Sequence, residues 1–201
     1  MIVLIDYGMG NLRSVQKAFE HCGQKPLISS EVRDVEKAEK IVLPGVGAFG
    51  QAMLELKKRK LTAVLKEKIQ SGTPYLGLCL GLQLLFSSSE EGSAKGLDVL
   101  PGRVRRFSPR AGKVPHMGWN TLSLKKKNCP LMHGADPREH FYFVHSFFAE
   151  PQEKNIIACT TRYGADFCSA VWRDNIFATQ FHPEKSQRSG LRLIGNFLNR
   201  C

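Results

Sequence analysis

At 201 residues, with 42% hydrophobic and 23% charged side chains, the chain has the composition of a soluble globular protein. It has the length of one domain, residues 1–201, able to bury about 70% of its unfolded surface. Basic residues outnumber acidic ones by 29 to 18, a formal net charge of +11, which admits nucleic acid, phosphorylated metabolites or an acidic partner; with no aromatic residues among the lysines and no nucleic-acid motif, the basic runs at 57–60, 103–113 and 125–127 read as solvated loops and helix ends, and no nucleic-acid partner is expected.

Met1-Ile2-Val3-Leu4-Ile5-Asp6 carries no basic leader and meets a carboxylate by position 6, so 2–5 reads as a strand, not an export signal. The loop Asp6-Tyr7-Gly8-Met9-Gly10-Asn11 follows, with Asn11 as the N-cap of a helix that sets Leu12, Val15, Ala18 and Phe19 on one face. A second strand is expected at 25–29, a short helix at 31–37 and a third strand at 40–43, closed by Pro44-Gly45-Val46-Gly47. Helices are expected from about 48 through 56 and over 61–70. Next comes Thr73–Phe86: an apolar strand at 75–78, Cys79, and a segment at 80–86 of helical length with leucines on one face. The apolar run from 74 to 86 is too short to span a bilayer; no membrane association is expected, and the expected location is cytoplasmic.

This alternation of strand and helix predicts an α/β fold with a mainly parallel, doubly wound central sheet flanked by helices. The Gly8–Gly10, Gly45–Gly47 and Cys79 loops would then share the carboxyl edge of the sheet, where such folds build their sites. From about Gly102 the texture turns to β, with strands expected at 103–107, 119–124, 141–149, 156–162, 169–173 and 176–181. They would add antiparallel strands to the sheet. A last helix over about 189–199 carries Leu191, Ile194 and Leu198 on one face.

The chemistry starts at Gly77-Leu78-Cys79-Leu80-Gly81. A strand turning sharply into a helix needs glycines on either side of the turn and leaves the central side chain at its tip. Positive charge at the helix N-terminus and a free Leu80 amide would favour a thiolate and its oxyanion product. A buried structural cysteine is the plainer reading of this stretch alone. A base is offered by Gln180-Phe181-His182-Pro183-Glu184, where residues two apart face the same way, so Glu184 can orient His182 and His182 can serve Cys79. Pro44-Gly45-Val46-Gly47 is a candidate second oxyanion donor; no Walker-type lysine follows it. The six cysteines form no C-x-x-C pair and no metal-spaced cluster with histidine, so neither disulfides nor a metal site is expected.

Gly77-Leu78-Cys79-Leu80-Gly81-Leu82-Gln83 with His182-Pro183-Glu184 resembles the class I (triad) glutamine amidotransferase family. Asp6–Asn11, Pro44–Gly47, Pro115-His116-Met117-Gly118-Trp119-Asn120 and Phe143-Val144-His145-Ser146 resemble one branch of it, the glutaminase subunits of imidazole glycerol phosphate synthase. The resemblance implies a Cys79–His182–Glu184 triad and an oxyanion hole from Leu80 and the Val46-Gly47 loop, a loop that must rearrange before activity appears. It implies glutamine contacts at Gln83, Glu91, Val144, His145 and Ser146. It also implies a heterodimer with a (β/α)8-barrel cyclase meeting Asn11, Trp119 and Lys185, and no metal or organic cofactor. Phe147 departs from the tyrosine expected after His145-Ser146, so a hydroxyl contact is lost. Other readings are the same glutaminase serving surface-sugar amination or pyridoxal phosphate synthesis, or a non-catalytic binding subunit. The last would lack a triad member, and none is missing here.

Overall fold

The computed structural model describes residues Met1–Cys201. Its first half is the expected β-α series. β1 (Ile2–Ile5) leads to α1 (Leu12–His21), β2 (Leu27–Ser29), α2 (Val32–Glu36), β3 (Lys40–Leu43), α3 (Phe49–Lys58), α4 (Leu61–Gln70) and β4 (Tyr75–Leu78). The strands are short and apolar because both faces are covered, as in any parallel sheet wrapped by its own crossovers. Alternation along them sorts the core into two layers. Val3, Ile5, Ile41, Leu43 and Tyr75 pack with α2, α3 and α4. Leu4, Val42 and Leu76 pack with Val15 and Phe19 of α1 on the opposite face. The Asn11 side chain accepts from the Ser14 amide at 3.3 Å, so the expected N-cap is in place.

The elbow departs from expectation. The helix after Cys79, α5 (Leu80–Gln83), is a single turn, and Phe86–Ser89 is a strand, β5. The reason lies in the carbonyls that a longer helix would need. Leu84 O accepts from the Leu97 amide at 2.8 Å, and Leu85 O accepts from Val99 and Leu100 at 2.9 and 3.0 Å. Leu80, Leu82, Leu84 and Leu85 are all buried, so the run has no solvent face to declare a helical period.

In the second half β6 (Leu100–Arg106) is followed by β7 (His116–Thr121), β8 (Ser123–Leu124), β9 (His140–His145), β10 (Phe147–Pro151), β11 (Ile157–Tyr163), β12 (Ala165–Arg173), β13 (Ile176–Thr179) and α6 (Gln187–Arg200). The main sheet runs β2-β1-β3-β4-β13-β12-β10-β6-β5, with β11 beside β12 and β8 beside β11. Pairings from β2 through β13 are parallel, and those from β13 through β6 are antiparallel. The segments expected as single strands at 119–124 and 141–149 each divide between two sheets. β7 and β9 form a separate antiparallel pair, while β8 and β10 join the main sheet. Phe141, Phe143, His145 and Ala149 all point inward, so the period-2 pattern passes through the break at Ser146 unchanged. On α6 the buried face centres on Leu193, Ile194 and Phe197; Leu191 and Leu198 lie at its half-buried margin, a rotation from the expected face. No helix is long and apolar enough to cross a membrane.

Candidate active site

β4 and β13 are parallel neighbours, with Leu78 opposite Thr179. The residues just beyond each therefore emerge together at one sheet edge. Cys79 lies one position past that pair and His182 three. The Cys79 backbone is bound across the strands, its amide donating to Thr179 O at 2.7 Å. Its φ of 52° and ψ of −102° lie in a region that side-chain-bearing residues rarely occupy, a strain kept where a side chain must be presented. The glycines on either side have a steric role. A Cβ on Gly77 would stand 2.6 Å from Gly81 O, and one on Gly81 would stand 1.9 Å from Leu43 O.

His182 follows β13, its imidazole oriented by Glu184: Nδ1 donates to Glu184 Oε1 at 2.8 Å, and both side chains are 3% exposed. Pro183–Lys185 form a tight turn that brings residues 182 and 184 to the same side. His182 Nε2 is buried and makes no hydrogen bond of ordinary geometry. The Cys79 sulfur is nevertheless close enough to act on it. Burial pulls the imidazole down, but attraction to the Cys79 sulfur and to Glu184 outweighs that and raises it to about 10. The arrangement sets an imidazole oriented by Glu184 against the Cys79 sulfur, the order nucleophile, base, orienter.

Beside Cys79 opens a cavity of about 310 Å³, lined by Val46, Gly47, Leu80, Gln83, Glu91 and Pro115 on one side and by Val144, His145, Ser146 and Phe147 on the other. The three expected oxyanion-hole residues and the five expected glutamine contacts thus meet around one space. Two details differ from expectation. The Leu80 amide is not free: it donates to Gly45 O at 3.3 Å, so the Pro44–Gly47 loop occupies the hole it was expected to help build. That loop is also held by Tyr7, whose buried hydroxyl donates to Pro44 O at 2.9 Å. Glu91, expected as a glutamine contact, is also engaged by backbone: its carboxylate accepts from the Phe49 amide at 2.7 Å and caps α3, whose own N-cap Ala48 has no side chain to do so.

Gln83 Nε2 donates to Phe147 O at 2.9 Å and to Gln180 Oε1 at 3.1 Å. His145 Nδ1 donates to the same carbonyl at 2.8 Å. Position 147 thus contributes its backbone, which a phenylalanine supplies as well as a tyrosine. His145 Nε2 then accepts from His116 Nδ1 at 3.0 Å. Burial pushes His145 down to about 3 and His116 to about 4, so both rings are neutral. Gln180, fully buried beneath Cys79, was not legible as a site residue; its only signal was a polar side chain inside an otherwise apolar strand end.

Of the expected interface residues, Trp119 is 47% exposed and stands edge-on to Tyr142 at 5.8 Å, while Lys185 Nζ lies 5.7 Å over the Tyr142 ring. Asn11 sits at the head of α1, which packs against the Pro183–Lys185 turn.

The sequence matches the family described as glutamine amidotransferase class-I over residues 3–201. It is 50% identical over 204 residues to the imidazole glycerol phosphate synthase subunit HisH of Syntrophotalea carbinolica, covering 98% of each chain. It is 51% identical over 199 residues to the HisH subunit of Rhodopirellula baltica, covering 98% of this chain and 96% of the other. Among solved structures, PurLQS from Thermotoga maritima superposes with a TM-score of 0.77 at 18% identity, covering 98% of this chain and 97% of that one, a likeness of fold.

Proposed function

The chain belongs to the class I glutamine amidotransferase family, and we propose that it is the glutamine-hydrolysing subunit of an imidazole glycerol phosphate synthase. One observation carries this reading: Cys79, with the His182–Glu184 pair behind it, opens on the cavity that Gln83, Glu91 and Val144–Ser146 line. Cys79 attacks the side-chain amide of glutamine, forming a tetrahedral oxyanion. His182 gives its proton to the departing nitrogen, leaving a glutamyl thioester and ammonia. His182 then takes a proton from water, which attacks the thioester and releases glutamate. Glu184 keeps the imidazole in the required tautomer and steadies its charged form.

The oxyanion needs donors aimed at it. Leu80 N–H is one, once the Gly45 carbonyl withdraws; an amide of Val46 or Gly47 is the other. The bond between Leu80 and Gly45 supports a resting form whose hole is filled by the protein's own backbone, and hence an activity that depends on a partner. Ammonia released into water would be protonated and lost as a nucleophile, so it passes to a (β/α)8-barrel cyclase in a heterodimer. The exposed Trp119–Tyr142–Lys185 cluster and Asn11 supply the docking face. The relatives' printed names, which call them subunits, support an assembly of this kind.

The test is glutamate release from glutamine by the chain alone, with the cyclase, and with the cyclase plus its ribonucleotide ligand. Strong stimulation is expected only in the last mixture, and Cys79→Ser should abolish it while binding the cyclase undiminished. Turnover that survives Cys79→Ser refutes the nucleophile; a chain that no cyclase stimulates, yet which hydrolyses glutamine, serves a different acceptor.

A further inference from the structure

We propose that the Gln180 side-chain amide is a hydrogen-bond donor to the Cys79 sulfur, locked in that orientation by the Phe147 carbonyl acting through Gln83. Resting on the reading of Cys79 as the nucleophile, this adds a second support for the thiolate, independent of His182.

Gln180 has no exposed surface, and its Nε2 lies 3.6 Å from Cys79 Sγ. An amide side chain has a donor end and an acceptor end of similar shape, and which end faces the sulfur follows from its other partners. Here the partners leave no choice. The Phe147 carbonyl can only accept, so the Gln83 group 2.9 Å from it is the NH2. The second N–H of that NH2 then meets Gln180 at 3.1 Å, and what it meets is an acceptor, Oε1. The Gln180 NH2 is left facing the sulfur.

The same carbonyl orders the other branch of the network. His145 Nδ1 donates to it, His145 Nε2 accepts from His116, and His116 Nε2 accepts from Asn120 Nδ2 at 3.2 Å. Asn120 Nδ2 is independently identified as a donor by the Arg162 carbonyl 3.0 Å away. Read from Asn120 or from Gln83, every bond agrees in direction, and no member is forced to oppose a neighbour.

An N–H aimed at sulfur favours the thiolate over the thiol, because only the anion is a strong acceptor. It therefore lowers the pH at which the nucleophile becomes available. A second consequence is that Gln83 has two roles at once, lining the cavity with one edge and orienting Gln180 with the other. A substitution there disturbs the thiol even if glutamine is absent.

The test is the pH dependence of Cys79 alkylation by iodoacetamide in the full chain, read at the Cys79 peptide by mass spectrometry. Cys22 and Cys201 are also partly exposed, which is why the peptide must be resolved. Two variants are compared, Gln180→Met, which keeps volume and loses the donor, and Gln180→Glu, which keeps shape and replaces the donor with a carboxylate. Gln180→Met should alkylate about tenfold more slowly near pH 6.5 and converge with the parent at high pH, moving the midpoint up by about one unit. Gln180→Glu should move it further. If Gln180→Met does not fold, Gln180→Leu, also uncharged and without a donor, carries the test, because the charge of Gln180→Glu would raise the thiol on its own. Superimposable profiles, or a drop that is uniform across pH, assign Gln180 to packing and overturn the proposal. Glutamate release that survives Cys79→Ser overturns the underlying reading instead, so the two failures are distinct.

Discussion

Gly190 packs α6 directly onto the backbone between His182 and Glu184. It lies in the first turns of α6, with its amide donating to Ser186 O at 3.0 Å, and its Cα rests on the peptide between His182 and Glu184. A Cβ placed there would stand 1.9 Å from Pro183 O, 2.7 Å from Pro183 C and 2.9 Å from Pro183 Cα, all backbone. Ordinary contact begins at 3.4 Å, so the nearest pair must part by about 1.5 Å (3.4 minus 1.9). Either α6 lifts from its seat or the Pro183 peptide shifts, carrying His182 and Glu184 with it. Overpacking of this kind costs about 1–3 kcal/mol, and a catalytic group displaced by about 1 Å can lose about a hundredfold in rate. Gly190→Ala should therefore lower both the urea midpoint and glutamate release in the stimulated complex, the latter by about two orders of magnitude. Gly195→Ala is the control on the same helix, because nothing lies within 4 Å of its Cβ position. It should gain roughly 0.5–1 kcal/mol from helix propensity alone, with activity unchanged. If Gly190→Ala matches the parent in both assays, or Gly195→Ala is equally damaged, the steric reasoning is wrong.

Two further outcomes are expected. His145 and His116, held near 3 and 4 by burial, refuse protons that the unfolded chain accepts below its ordinary histidine value of about 6.5. Their contribution to stability is complete above pH 6.5 and is lost as pH falls, at up to about 1.4 kcal/mol per pH unit for each ring, until the folded values are passed. His182, raised to about 10, is protonated in both states across that window and adds no slope there; its contribution fades only as pH rises from 6.5 toward 10. Urea titrations at pH 6, 5 and 4, below the range where His182 contributes, measure the slope, and a flat profile contradicts the buried neutral assignment. Glu91→Ala should remove the cap on α3 and cost about 1 kcal/mol of stability, together with a higher KM for glutamine. Loss of stability with KM intact would restrict Glu91 to its capping role.

How far the sequence could be read depended on where each signal resided. The parallel half was legible because β1, β3 and β4 are short apolar runs separated by amphipathic helices, patterns that local periodicity records. The elbow was legible because its glycines answer to sterics within a few residues of Cys79. The single turn of α5 was not, since the carbonyls that end it are claimed by amides at Leu97, Val99 and Leu100, more than ten residues downstream. The break at Ser146 was hidden because inward and outward residues keep alternating as the chain changes sheets. The closed Leu80–Gly45 contact and the Gln180–Cys79 bond join segments far apart in the chain, and no local pattern announces either. The pairing of His182 with Glu184 was inferred from residue types; what sets that pair beside Cys79 is the adjacency of β4 and β13, a fact of topology.

That adjacency bears on how the protein is made. Cys79 and Gln180 are separated by 101 positions, and β13 inserts between β4 and β12 in the interior of the main sheet. During synthesis the thiol leaves the ribosome long before any base can reach it, and β4 waits with an open edge for a partner not yet translated. A nascent or truncated chain that ends short of His182 carries the Cys79 thiol without the imidazole that stands beside it in the folded protein. On the proposed roles of Cys79 and His182, glutamine hydrolysis waits until the sheet closes, and a fragment ending before β13 should release no ammonia.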